Sequence, residues 1–596
     1  MCKGIFSFLI FVFSLFSAQQ KPVQIAFLSD IHFQDLYGSF SDNDFKGIVN
    51  PKTGKPTILR TMDAQLHSTR IFNENYFAFL KALDDIAKKG IKIVAMPGDF
   101  SDDGQAYNLR GLHKILDEYH EKFGIEFYLT TGNHDPVGPF RQEGGKDDFL
   151  GEDGNQLGIY SKENIGKTDY KIITRDIAES GYLEILDELK DFGFYPKKQD
   201  LFWSTPFTPY SSKDYSYEKA LQNAAYTKRM YNVAQNFSVP DLSYVTEPVK
   251  GVWLMAIDGN TYIPRNLNGS SKDPENYKGA SVGYNNVLTH KKHLIDWVKR
   301  TMAEAKKNGK IVIAFTHYPM IDFNDGATQE IKSLLGEKKW QMERVPEEEV
   351  AKVFAEAGLQ IHFAGHMHIN DTGIRTIKGK ILVNIQVPSL AAYIPAYKIL
   401  TIHSPDLMEI HTEVLNDVPR FNELFPLYEK EYNTLQKSAD RTIWNKDILK
   451  SVSYHDFMLF HLKELVRLRM IPDDWPKDFI ERTRNFSGKD ILLLIQNNED
   501  LKKSEIDTEA FRKWKTEDLL LDLYKFQSAD ELAKKDMTQE RLQQYKILEK
   551  IFSIYKGQNP LLINFKKIFK IMSLLSSGDP ADHFEINLKK NAVTRL

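Results

Sequence analysis

Six short apolar runs, each breaking off into polar residues or glycine, constrain this chain more than any other feature. They are VQIAFLSD from Val23, IKIVAMPGD from Ile91, IEFYLTTGNHD from Ile125, VWLMAIDGN from Val252, IVIAFTHYP from Ile311 and LQIHFAGHMH from Leu359. Runs this short and this rich in β-branched residues read as buried strands rather than helices. Helical patterns separate several of them. Tyr76, Phe79, Leu80, Leu83 and Ile86 form one apolar face, and Gly90 offers a left-handed stop before the next strand. A second helix is expected from about Asn108 to Lys122. The alternation predicts an α/β domain around a largely buried sheet.

At 596 residues the chain exceeds one ordinary core, so two or more units are expected. Its formal charge of −3 is too slight to call for a polyanionic partner, and no nucleic-acid binding is evident. Residues 1–18 have the layout of a signal peptide: Lys3, an apolar run from Gly4 to Ser17, then Ala18 before Gln19 and Gln20. This predicts an exported protein, periplasmic or secreted, whose mature form has no stable membrane span. The only cysteine, Cys2, lies in that segment, which leaves the mature chain without disulfides.

Two stretches break the rhythm of the strands, about residues 34–70 and about residues 136–250, and read as insertions into a domain spanning 22–418. Residues 419–596 turn charged and helical, with leucine periodicity in TEDLLLDLYKF and RLQQYKILEKIF and capping-box spacing at Ser528 and Glu531. They form an expected C-terminal α-helical module whose leucine stripes suit a core better than a partner groove.

Chemistry sits at the strand ends. Asp30 and His32 follow the first run, Gly98-Asp99 the second, Gly132-Asn133-His134-Asp135 the third, His317 the fifth, and Gly365-His366-Met367-His368 the sixth. In an extended segment, residues at i and i+2 project to the same side, which would aim His366 and His368 into one volume. Each cluster alone is weak. Together, polar groups at the carboxyl ends of successive strands are what an open α/β sheet presents around a ligand crevice.

In this order and content the clusters resemble the calcineurin-like metallophosphoesterases, whose motifs run Asp-x-His, Gly-Asp, Gly-Asn-His-Asp/Glu, His, Gly-His-x-His. The resemblance implies a four-layer αββα sandwich carrying the insertions and the C-terminal module. It further implies that Asp30, His32, Asp99 and His368 bind one metal and that Asp99, Asn133, His317 and His366 bind a second, Asp99 bridging. His134 would lie beside the phosphate of a small-molecule phosphate ester and assist the leaving group after in-line attack by a metal-bridging hydroxide. Imidazole, carboxylate and amide donors suit two divalent or mixed-valence transition-metal ions, Mn, Fe, Zn or Co, better than Ca or Mg.

The loop GDFSDDG departs from two branches of that family. Asp102 stands where purple acid phosphatases have tyrosine, and Asp102-Asp103-Gly104 replaces the Asp-Arg-Gly of phosphoprotein phosphatases. The loop looks more like that of cyclic-nucleotide phosphodiesterases, which favours a phosphodiesterase; the alternatives are a phosphomonoesterase and a non-enzymatic metal-stabilised binding protein. Asp135 could orient His134 or start a helix. His67, His113, His120, His290, His293, His362, His455, His461 and His583 lie outside the motifs and are expected to be structural or solvated.

Overall fold

The computed structural model describes residues 22–166, 168, 170–437, 442–495 and 507–596; the signal-peptide reading of residues 1–18 lies outside them. Two seven-stranded sheets form the centre. In chain order their strands are β1 Val23–Phe27, β2 Ile93–Pro97, β3 Glu126–Thr130, β4 Trp203–Ser204, β5 Tyr244–Val249, β6 Val252–Ile257, β7 Ile311–Thr316, β8 Ile361–Ala364, β9 Asp371–Ile377, β10 Lys380–Gln386, β11 Ala396–Ser404, β12 Leu407–Val414, β13 His583–Asn587 and β14 Ala592–Arg595. The first sheet has the order β14-β13-β12-β11-β1-β2-β3, and the second β9-β10-β8-β7-β6-β5-β4. In both, the strands that carry polar ends run parallel: β1 with β2 and β2 with β3, then β6 with β7 and β7 with β8.

The apolar runs are continuous because both faces of these strands are covered. Along the second sheet, Leu254, Ala256, Ile313 and Phe315 face the first sheet's core, whereas Trp253, Met255, Ile257 and Ala314 join a separate cluster with Leu294, Trp297, Val350 and Phe354. Phe27 stacks on Phe363 with ring centroids 3.6 Å apart, so the two sheets pack face to face. Helices Lys292–Lys307 and Glu348–Ala357 supply the outer layer on the second sheet, and Asn75–Lys89 and Ala106–Phe123 supply it on the first. This is the expected four-layer αββα sandwich. Gly90 ends its helix at φ 76°, as its position predicts.

Three details differ from the sequence reading. Within residues 136–250, β4 and β5 belong to the second sheet, so of the strands described there only the small sheet of Gly145–Leu150, Gln156–Tyr160 and Lys171–Ile173 and the hairpin Met230–Ala234/Phe237–Pro240 stand outside the sandwich. Strand pairing there is long-range, and the polar composition hid it. Ser528 does not cap a helix, because helix Thr516–Ala529 runs through it and Glu531 instead accepts the backbone N–H groups of Ala581 and Asp582. The C-terminal region is helical as expected, but its tail returns as β13 and β14 to extend the first sheet.

That helical region has its own core of Trp475, Phe479, Trp514, Leu519, Leu520, Leu523, Phe565 and Phe569, into which Ile331, Leu334 and Trp340 of the sandwich insert. Leu519, Leu520, Leu523 and Leu548 of its leucine stripes are core residues. Each fully buried side chain of this size stabilises by about 1.5–3 kcal/mol relative to exposure, which anchors the region to the sandwich. Among the described residues no helix is long and apolar enough to cross a membrane.

Candidate metal centre

All the strand ends singled out by the sequence open onto one place. Asp30, His32, Asp99, His366 and His368 adopt left-handed φ between 45° and 73°. Such backbone is costly for residues with a Cβ and persists where surrounding structure over-determines it. His366 and His368 therefore do not lie in an extended segment. Each turns separately, His366 towards His317 and His368 towards His32, because β8 ends at Ala364.

One cluster joins Asp30, His32 and His368. His32 Nε2 lies 3.1 Å from His368 Nε2, and His368 Nε2 lies 3.3 Å from Asp30 Oδ1. The other joins Asp99, Asn133, His317 and His366. His317 Nε2 is 3.2 Å from Asp99 Oδ2, 3.1 Å from Asn133 Oδ1 and 3.0 Å from His366 Nδ1. Asp99 Oδ2 is also 3.8 Å from His32 Nε2, which makes Asp99 the link between the clusters. All seven sequence-derived ligands are brought together.

The glycines of the motifs have a steric reason. A Cβ at Gly132 would sit 2.2 Å from Asp99 Oδ1, and one at Gly365 would sit 2.0 Å from Ser29 Oγ and 2.3 Å from Asp30 Oδ2. Backbone must pass this closely for the carboxylates to face inward.

The donor set fits a pair of cations. His317 Nδ1 is 3.0 Å from the Pro97 carbonyl and His366 Nε2 is 3.0 Å from the Ser281 carbonyl, so both outer nitrogens carry the proton. With a cation between them the inner nitrogens of these two rings would present lone pairs alongside the oxygens of Asn133 and Asp99; with none, and against the effect of burial, Asp99 and then Asp30 raise the His317 pKa. Such a convergence of acceptors calls for a positive charge among them. Burial, then Arg70, holds the His32 imidazole well below its usual pKa, and burial, then Arg344, does so for His366. Neutral rings are what metal ligation requires. Burial works to raise Asp99, but His317, His134 and His32 hold its carboxyl well below the ordinary range.

His134 stands at the rim. Its side chain is 27% exposed, and its Nε2 lies 4.0 Å from Asp99 Oδ2. Its Nδ1 is bonded to Asp103 Oδ1, whose other oxygen takes Lys146. Asp135 neither orients His134 nor starts a helix: it accepts the N–H of Ser101 at 2.7 Å, and burial beside Asp99 pushes its carboxyl well up. Asp103 is the orienting residue that the sequence reading missed; only its place in the same loop as Asp99 pointed to it.

The insertions supply the surrounding cations. Arg60 Nη1 and Arg70 Nη2 each donate to Asp102 at 3.0 Å, and Arg60 Nη2 also donates to Asp148 at 2.6 Å. Arg344 lies near enough to act on Asp99, Asp30 and His366, with no hydrogen bond of its guanidinium among the described residues. His362 bonds Asn384 Oδ1 at 2.8 Å and touches none of the ligands.

The fold and this site define a metal-dependent phosphoester hydrolase with a dinuclear centre. Residues 23–221 match the family model of the calcineurin-like phosphoesterases, the family whose motifs the strand ends resemble. His317, His366 and His368 lie beyond the matched segment and are supplied by geometry. No curated protein sequence matches significantly.

Similar solved structures include a dimetal phosphatase from Danio rerio (9% identity, 65% of this chain, 95% of that one, TM-score 0.34). A purple acid phosphatase from yellow lupin (Lupinus luteus) seeds is similar at 10% identity over 66% of this chain and 52% of that one, with a TM-score of 0.30. GAP50, the anchor in the inner membrane complex of Plasmodium, is similar at 11% identity over 66% of this chain and 85% of that one, with a TM-score of 0.26. Likenesses this distant carry nothing further about the activity.

Proposed function

We propose that the protein is an exported phosphodiesterase acting on a small phosphate ester, with His134 as the proton donor to the leaving group. The observation that carries this reading is the setting of His134, with Nδ1 held by Asp103 and Nε2 at the open rim beside Asp99. Asp30, His32, Asp99, Asn133, His317, His366 and His368 would hold two transition-metal ions of the Mn, Fe, Zn or Co kind, which when bound would supply Lewis-acid polarisation of the phosphoryl group and acidify water.

This chain's own residues do the rest. Asp103 accepts from Nδ1, which fixes the tautomer, so that Nε2 presents its proton to the departing oxygen. Arg344 is placed to bind a phosphoryl oxygen and orient the ester. Charge balance favours a diester. Arg60, Arg70 and Lys146 are bonded to Asp102, Asp148 and Asp103, which leaves Arg344 as the cation available beside the centre, a single charge better matched to a monoanionic diester than to a dianionic monoester.

The test is turnover of bis(p-nitrophenyl) phosphate against p-nitrophenyl phosphate after reconstitution with Mn, Zn or Fe. A higher kcat/KM for the diester supports the proposal; preference for the monoester replaces it with a phosphomonoesterase, and no turnover with metal bound favours the binding protein. Amino-terminal sequencing of the exported chain tests the processing read from residues 1–18.

A further inference from the structure

A second cluster of ligating side chains lies outside the dinuclear centre. Asp325, Asp371 and Asp530 each present an oxygen within 4.8 Å of the others. They arrive from distant parts of the chain: Asp325 from the loop after β7, Asp371 from the first position of β9, and Asp530 from the end of helix Thr516–Ala529. Asp371 is 4% exposed and Asp530 2% exposed, while Asp325 is partly open to solvent.

The hydrogen bonding around them is incomplete. Both carboxylate oxygens of Asp530 and Oδ1 of Asp371 are buried without a partner. Two nearby bases are engaged elsewhere. Lys398 donates to Asn370 Oδ1, Thr412 Oγ1 and the Ala581 carbonyl, and Arg595 pairs with Glu531 and donates to the Gly578 carbonyl. Backbone N–H groups of Asp579 and Thr372 serve Asp325 and Asp371, but the three unpartnered oxygens are strongly unfavourable as buried charge unless a cation or protons sit among them. Burial, then mutual repulsion, pushes Asp371 and Asp530 well up and Asp325 up to about 7, which marks the shortage of positive charge in the protein alone.

We propose that Asp325, Asp371 and Asp530 bind a calcium ion that clamps the C-terminal helical region to the sandwich. Calcium takes six to eight oxygens at about 2.3–2.6 Å, so oxygens on opposite sides of it lie up to about 5 Å apart, which the observed spread matches. Magnesium demands a tighter octahedron, and transition metals prefer imidazole, which this cluster lacks. Water entering beside the partly open Asp325 completes the shell.

The position gives the ion its role. Asn370, next to Asp371, donates its N–H to the Ser528 carbonyl at 2.8 Å and its side chain reaches the Ala529 carbonyl at 3.4 Å. The ion therefore ties Asp530 to the segment that carries His366 and His368, as a structural cation rather than a participant in hydrolysis.

The test uses the full chain, stripped of metal and reloaded with Mn(II) in excess of the dinuclear centre, then titrated with calcium chloride by calorimetry and by thermal unfolding. One further equivalent of calcium and a rise in Tm are expected, both lost in Asp530→Asn and Asp371→Asn while the two Mn equivalents remain. Asp325→Asn, a change in a partly exposed loop, serves if the buried variants fail to fold, and it should weaken calcium at least tenfold. No calcium equivalent beyond the manganese overturns the proposal, as does calcium binding that is unchanged in Asp325→Asn. So does an Asp530→Asn protein that is more stable than the parent with and without calcium, since the cluster would then be held by protons.

Discussion

Two of the places where this molecule gathers buried ionisable side chains come within three positions of each other along the chain, at His368 and Asp371, and they solve the problem differently. The dinuclear centre mixes two carboxylates with imidazoles, and an imidazole can be buried neutral while still presenting a lone pair. The aspartate cluster has no such choice, because a carboxylate is a ligand only when charged. The imidazole-rich centre thus offers donors that suit borderline metals, and the carboxylate cluster offers donors that suit a hard ion.

Metal removal should break the pair apart most sharply. 1,10-Phenanthroline is expected to abolish turnover while leaving the calcium-dependent rise in Tm, and omitting calcium to remove that rise while sparing most activity. Loss of both together under either treatment would show the two places to be one system. Asp99→Asn should follow closely, with both transition-metal equivalents lost by elemental analysis and turnover at background, because the Asp99 carboxylate lies beside His32 of one cluster and His317 of the other.

His134→Ala sharpens the centre's side of the comparison. Metal content should stay unchanged while kcat falls by about 10²–10⁴-fold for alkyl esters, and by less for p-nitrophenyl esters, whose leaving group needs no proton. Asp103→Asn should cost on the order of 10²-fold in kcat with little change in KM, since it holds the ring rather than the substrate. An equal loss for both leaving groups in His134→Ala would remove the proton-donor role.

A third solution to burial tests the smallest effect. Glu431 is 1% exposed and accepts the N–H groups of Met62 and Asp63 at 2.7 and 2.9 Å, with burial pushing its carboxyl up to about 7. Its folded pKa lies above the unfolded value near 4.5, so the protonated form is the one the fold prefers. Stability from this group is present below pH 4.5 and lost as pH rises to about 7, by up to roughly 3 kcal/mol. Denaturant unfolding of Glu431→Gln should show a shallower fall over that window; an unchanged slope would mean that the two backbone donors suffice to keep Glu431 charged.

The legibility of the site differs from residue to residue. Asp30, Asp99 and His317 were readable because each closes an apolar run, and strand periodicity says where a run stops. His366 and His368 were readable as a pair, but the extended geometry inferred for them was not what the chain adopts. Asp103 was visible only as a departure from the Asp-Arg-Gly pattern; its bond to His134 depends on how the loop turns. Arg60, Arg70 and Lys146 sit in segments whose polar composition said only that they were insertions.

By itself the sequence determined the buried parallel strands, the ligands at their ends and the helical character of residues 419–596, since each rests on periodicity and residue chemistry within a short window. Tertiary structure alone decided that β4 and β5 belong to the second sheet, that β13 and β14 complete the first, which carboxylate holds His134, and that Asp325 meets Asp371 and Asp530. Those outcomes depend on contacts between residues tens to hundreds of positions apart, and no local pattern encodes which distant partner a buried charge will face.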